Sequence, residues 1–168
     1  MRLAVLQERH PGEGRVALSP THMASLIKAG WEIRVESLAG QSSGWSDEVY
    51  REAGAVVEGS REQALAGCTC VVKVRPPSAG ANGQEDEVSR LPSGAILVSF
   101  LSPGADGDLV AKLAARNISA MAMERIPRTT RAQRMDALSS QATVAGYRAV
   151  LLAAMHLPRF FPMLTTAA

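Results

Sequence analysis

The stretch AILVSF (95–100) decides the fold. It has no polar residue before Ser99 and no alternation of apolar and polar positions. A strand of that composition is buried on both faces, and strands buried on both faces belong to parallel sheets covered by helices. The residues that follow agree. DGDLVAKLAARN (106–117) reads as a helix ending at Asn117, and ISAMAM (118–123) is a further strand. Strand, helix and strand at this spacing make a βαβ unit.

The same alternation runs back to the N-terminus. LAVL (3–6), WEIRVE (31–36), AVVE (55–58) and CTCVVKV (68–74) read as strands. SPTHMASLIKAG (19–30) carries helix punctuation, with Ser19 as N-cap, Pro20 at the first helical position and Gly30 just past the end. SDEVYREAG (46–54) is capped by Ser46, has Asp47 and Glu48 at its positive end and stops at Gly54. SREQALAG (60–67) is helical, and RPPSAGANGQ (75–84) is a flexible connection. The fold class expected is α/β, a mostly parallel sheet with helices on each side.

The last segment differs. DALSSQATVAGYRAVLLAAMHL (136–157) has almost no polar face after Thr143. At 1.5 Å per residue it is about 30 Å long. A helix apolar nearly all round is expected to be buried on more than one side, here between two bodies. Pro158 stops it, and RFFPMLTTAA (159–168) follows. The expected organisation is a domain over 1–135, a connecting helix over 136–158 and a tail over 159–168.

Composition narrows the function. Apolar residues make up 46% and charged residues 20%, which supports a packed core and excludes global disorder. A net charge of +2 is too small for a protein that lives on nucleic-acid phosphates. Cys68 and Cys70 sit in an apolar run with no second cysteine pair, so no zinc site is expected. They are expected to be buried thiols sharing one strand face. MRLAVLQERHPGEGR (1–15) has no signal-peptide pattern, and no apolar run reaches the roughly 18 residues of a membrane span. A cytoplasmic location with reduced thiols is the expectation.

The polar stretch IPRTTRAQRMDALSSQA (126–142) is the candidate site. It follows the strand ISAMAM, and ligands of doubly wound sheets sit beyond the carboxyl ends of strands. One reading is a solvated basic turn. The other is a binding loop. If the helix begins near Gln133, then Gln133, Asp136 and Ser139 share a face of its first two turns. Amide, carboxylate and hydroxyl together can recognise a carboxamide, and Arg128 adds a planar fork of donors. Asp136 can equally be a first-turn acid against the helix dipole, with Ser139 as a cap-like residue.

Other positions carry less. HPGEGR (10–15) lacks a G-x-G-x-x-G or phosphate-loop pattern. Arg15 and Lys73 lie near strand ends, as ordinary surface cations or anion sites. Ser99 and Ser102 have no histidine partner nearby in sequence, and His10, His22 and His156 are scattered.

RVALSP (15–20), VVKVRPP (71–77), ILVSF (96–100), MAMERIPRTTRAQRMDALSSQATVAGYRAV (121–150) and RFF (159–161) together resemble the N-terminal region of the alanine dehydrogenase and nicotinamide nucleotide transhydrogenase family. The run from RAQ through DALSSQA to AGYRAV resembles the transhydrogenase alpha subunit more than the dehydrogenase. The resemblance implies a flavodoxin-like three-layer domain, a following Rossmann domain, and NAD(H) bound in the cleft between the two. It implies that Arg128, Gln133, Asp136 and Ser139 hold the nicotinamide end, with Gln133 bringing two nicotinamide rings together for hydride transfer. It also implies an NADP(H)-binding component docked over the cleft, a membrane component coupling hydride transfer to proton movement, and a dimer, with no metal. The sequence departs from the pattern twice. It stops at TTAA without the glycine-rich β-α turn that binds a pyrophosphate. Ser102 stands where the dehydrogenase branch has a histidine, although Arg15 and Lys73, which match that branch's pyruvate-binding positions, are kept. An alanine dehydrogenase-like fragment and a non-catalytic assembly or dimerisation module are the alternatives.

Overall fold

A computed structural model describes residues 1–80, 85–102, 104 and 107–161. The chain divides into two compact units, Met1–Arg125 and a second from Ile126 onward. The first unit is a six-stranded, all-parallel sheet. Its strands are β1 (Arg2–Val5), β2 (Glu32–Glu36), β3 (Val56–Glu58), β4 (Cys70–Val72), β5 (Ile96–Ser99) and β6 (Ser119–Ala122), in the order β3-β2-β1-β4-β5-β6. The doubly wound, three-layer arrangement read from the sequence is present. Its order is the six-stranded 3-2-1-4-5-6 rather than the five-stranded 2-1-3-4-5 of flavodoxin itself, and both orders reverse beside β1.

Alternation along the strands builds two cores. Leu3 and Val5 of β1, Ile33 and Val35 of β2 and Cys70 of β4 face one side. There they meet Met23 of α1 (Met23–Lys28) and Tyr50 of α2 (Asp47–Glu52). Ala4, Val71 and Leu97 face the other side. They pack on Leu65 of α3 (Arg61–Leu65), Val88 of α4 (Glu87–Arg90), and Leu109 and Leu113 of α5 (Gly107–Ala115). The phenol of Tyr50 is buried and donates to the Leu18 carbonyl at 2.9 Å, so its one polar atom is satisfied.

Several local details depart from the sequence reading. Ser46 caps α2 and Ser60 caps α3 through their hydroxyls. Ser19 instead precedes a 3-10 turn, Pro20–His22, and its hydroxyl bonds Thr21 and His22 rather than a backbone N–H. Cys68 and Cys70 are both buried, but they do not share a face. Strand β4 starts only at Cys70, so Cys68 turns into the α3–α5 core, where its thiol donates to the Ala64 carbonyl at 3.0 Å, while Cys70 points into the opposite core. Burial pushes the Cys68 thiol up to about 11, which makes it an inert packing residue. The helix α4 was not read from the sequence, although Asp86 caps it by accepting the Ser89 N–H at 3.1 Å. Part of the connection 75–84 lies outside the described residues, and Ala79 bridges to Asp86.

Strand β6 is not buried on both faces as its composition suggested. It is an edge strand, with Ser119, Ala120 and Met121 exposed. On the side that carries α1 and α2, the row Val72–Val98–Met121 is progressively uncovered, and Met121 is 56% exposed. Parallel sheets normally have both faces covered, and here the cover thins at the β6 edge, where Met121 is exposed.

The second unit carries the long helix α6 (Ala137–His156). None of its residues is buried, and Val144, Tyr147, Val150 and Met155 are each at least 60% exposed. No helix among the described residues is long and apolar enough to cross a membrane.

The burial pattern gives a direct contrast. Leu97→Ala, in the α3–α5 core, is expected to lower the unfolding free energy by about 3 kcal/mol. Val144→Ala on α6 is expected to change it by less than about 0.5 kcal/mol. Urea unfolding followed by circular dichroism measures both.

Candidate functional site

Two polar constellations stand out, one in each unit. The first is at the head of α6. Helix α6 begins at Ala137, not near Gln133; Gln133 lies on a preceding 3-10 turn, Gln133–Met135. Asp136 therefore sits at the N-cap rather than inside the first turn. Its carboxylate accepts the Ser139 N–H at 3.0 Å and the Ser139 hydroxyl at 2.6 Å. Those two bonds, helped by the charge of Arg128, hold the Asp136 carboxyl below the usual carboxylate range. Asp136, Ser139 and the charge of Arg128 are thus brought together. Gln133 and Arg128 are exposed and make no side-chain hydrogen bond among the described residues. The capping role and the binding role are compatible. A carboxylate has about four lone-pair sites, and two are used here.

Of the second constellation, the sequence reading named Lys73 alone. At the carboxyl ends of β1 and β4 the chain leaves toward opposite faces, α1 on one and α4 on the other. The crevice between them is the topological switch point. A cavity of about 380 Å³ opens there, lined by Glu8, Arg9 and His10 after β1, and by Arg75, Ser78 and Glu87 after β4 among others. Lys73, read from the sequence as a surface cation or an anion site, is 4% exposed. Its ammonium lies 3.1 Å from Glu87 and 3.5 Å from Glu8. Arg61 of α3 is 2% exposed and bonds Glu87, Glu36 at 3.0 Å and the Gln7 carbonyl at 2.6 Å. Burial pushes the Glu87 carboxyl up, but Lys73, the Ser78 N–H and Arg61 together outweigh it and hold it below its ordinary value. A lysine between two valines of a buried strand was the sequence signal for this network.

The remaining candidates fall into place individually. Arg15 is half-exposed and pairs with Glu13 at 2.6 Å. Ser99 is fully buried, with its hydroxyl on the Phe100 carbonyl. Ser102 adopts the left-handed region at φ 46°, and the Glu124 carboxylate takes its N–H together with that of Leu101. Arg75 donates to His10 Nε2 at 3.2 Å, and an arginine has no acceptor, so His10 carries its proton on Nδ1 toward the Pro11 carbonyl. Among the described residues no group of three or more His, Cys, Asp or Glu is arranged to hold a metal ion.

Residues 4–145 match the family described as alanine dehydrogenase/PNT, N-terminal domain. The chain belongs to that family. It is 42% identical over all 168 residues to an NAD(P) transhydrogenase subunit alpha polypeptide of Rhodospirillum rubrum, and spans 44% of that relative. Alanine dehydrogenase 1 of Staphylococcus aureus is more distant, at 30% identity over 93% of this chain and 39% of its own length. Among solved structures, the transhydrogenase from Sinorhizobium meliloti aligns with a TM-score of 0.88 at 38% identity, over 99% of this chain and 48% of that one. The chain therefore spans less than half the length of these relatives.

Two outcomes follow from the charges. The Glu87 carboxyl is depressed in the folded state, so its stabilisation is complete above the unfolded value of 4.5 and is lost as pH falls through the lower folded value. Glu87→Gln is expected to cost about 3 kcal/mol at neutral pH and to flatten the acid limb of a urea-stability profile. Asp136→Ala removes the only side-chain cap of α6 among the described residues. Its helical signal at 222 nm is expected to fall, whereas Asp136→Asn, which keeps an acceptor, is expected to hold most of it.

Proposed function

We propose that this chain is the nicotinamide-facing half of the NAD(H)-binding component of a proton-translocating NAD(P) transhydrogenase. The observation that carries the reading is the grouping of Asp136, Ser139 and the Arg128 charge at the head of α6, with the amide of Gln133 exposed just before it. A nicotinamide carboxamide offers one carbonyl acceptor and two N–H donors. Arg128 supplies donors only, Asp136 acceptors only, and Gln133 and Ser139 both, so the set fits the group. The cofactor supplies the transferable hydride when bound. The protein's task is to orient. Asp136 fixes Ser139 through two bonds, Arg128 draws the carboxamide oxygen, and Gln133 sets the approach of the second nicotinamide. No side chain acts as an acid or base, and most of the rate advantage comes from proximity.

The pyrophosphate half of such a site needs a glycine-rich β-α turn, and none occurs in these 168 residues. A Rossmann domain, an NADP(H)-binding component and a membrane component are the partners this reading requires, in a homodimer peripheral to the membrane on its cytoplasmic side. The isolated chain is accordingly incompetent for hydride transfer. The alanine dehydrogenase reading is disfavoured because Lys73 and Arg15 are engaged by Glu87 and Glu13 and position 102 is serine. An assembly or dimerisation module is favoured by one feature alone, the exposed apolar length of α6. A stable oligomer that ignores NAD in titration supports that second reading.

In a reconstituted transhydrogenase that contains this chain, Gln133→Asn is expected to slow NADH-to-NADP⁺ hydride transfer at least about tenfold with little change in the KM for NADH. Stopped-flow kinetics reads the rate. An undiminished rate removes Gln133 from the mechanism.

A further inference from the structure

Every arginine from Arg2 to Arg116 donates to a carboxylate, a carbonyl or a ring nitrogen. Arg131 and Arg134 do not. Both are exposed, and neither makes an ion pair or a side-chain hydrogen bond among the described residues. The nicotinamide reading gives them no task. The net charge of +2 hides an uneven spread. Residues 1–125 hold thirteen basic against fifteen acidic side chains, whereas residues 126–168 hold five arginines against Asp136 alone.

The backbone around the pair is ordered. The Ala132 N–H donates to the Thr129 carbonyl at 3.0 Å, Met135 to Ala132 at 2.8 Å and Asp136 to Gln133 at 3.3 Å, which is the winding of a 3-10 helix. Side chains three apart eclipse in that winding, so Arg131 and Arg134 fall on one side of the turn. Two like charges with no acid between them repel, and an anion bound to both relieves the repulsion. Guanidinium forks suit carboxylates and phosphates alike. The next residue chooses between the two: Met135 is 58% exposed. Arginine beside exposed methionine is the composition of a protein interface, where both types are enriched. A free phosphate has no use for the thioether.

We propose that Arg131 and Arg134 are a docking clamp for an acidic patch on the protein that carries the second nicotinamide nucleotide. Gln133 lies between them in the chain, so the contact that pairs the two charges also brings the partner's face to the Gln133 amide. The proposal rests on the transhydrogenase reading for which protein the partner is. It does not rest on that reading for the chemistry of the partner's face.

The test is the affinity of the NADP(H)-binding component for a reconstituted NAD(H)-binding component that contains this chain, measured by calorimetry over a series of sodium chloride concentrations. Arg131→Glu combined with Arg134→Glu is expected to raise Kd at least about tenfold at low salt. It is also expected to flatten the rise of Kd with salt, because the screened attraction is gone. The KM for NADH is expected to stay as it was. Arg131→Gln combined with Arg134→Gln removes the charges without adding repulsion, is expected to fall between parent and reversal, and guards against a reversal variant that does not fold. A Kd and a salt dependence equal to the parent's in both pairs overturn the proposal. Free NADP⁺ or pyrophosphate at millimolar concentration shifting the Arg131 and Arg134 Nε–H resonances of the 168-residue chain also overturns it, in favour of a phosphate subsite. The nicotinamide reading is judged separately, by the hydride-transfer rate of Gln133→Asn. Docking weakened by charge reversal while that rate is undiminished keeps the clamp and removes Gln133 from the mechanism.

Discussion

A charged ammonium cannot stay buried without partners, and Lys73 is buried at the end of β4. That constraint organises the middle of the first unit. It draws Glu8 from the end of β1 and Glu87 from the start of α4, and Glu87 in turn fixes Arg61 at the start of α3. Glu8 also takes the Val74 N–H at 2.6 Å, so the same carboxylate ties β1 to the exit of β4. Four elements are thus held by one network at the point where the sheet reverses its winding. Apolar packing sets which faces are inside. The network sets how the loops leave the sheet.

The fold was largely legible, because apolar runs and helix punctuation report local structure. AILVSF, LAVL and CTCVVKV gave β5, β1 and β4 in sequence order and in kind. Pattern alone did not separate central from edge strands. ISAMAM is as apolar as its neighbours, yet β6 lies at the sheet edge and is exposed. Nor did spacing decide which core each cysteine entered, since that depends on where β4 begins, and a one-residue offset flips the face.

For the candidate site, the sequence pattern named residues but not their geometry. Arg128, Gln133, Asp136 and Ser139 were picked out by type and interval. A continuous helix from Gln133 would have stacked three of them on one face. The chain instead inserts a 3-10 turn, and Asp136 becomes the cap. The physical reason is competition. An aspartate is worth more at an N-cap, where it satisfies an orphan N–H, than one turn inside a helix. The cap and the binding reading share Asp136 because a carboxylate pinned by Ser139 is already oriented, and orientation is what a recognition site needs.

The bare surfaces argue that this polypeptide functions within something larger. A half-sheet exposing Met121 and a 20-residue helix exposing Val144, Tyr147 and Val150 are poor endpoints for a chain in water. They are good beginnings for contacts, because burial of each such side chain contributes about 1.5–3 kcal/mol. Conversely, at the switch-point crevice Lys73, Arg61, Glu8 and Glu87 are already engaged with one another. On the segment that leads into α6, Arg128 and Gln133 keep their polar groups free of side-chain bonds among the described residues, next to the exposed apolar length of the helix. Stabilisation still to be gained therefore concentrates around the head of that helix, where exposed apolar side chains and unbonded donors lie in the same unit.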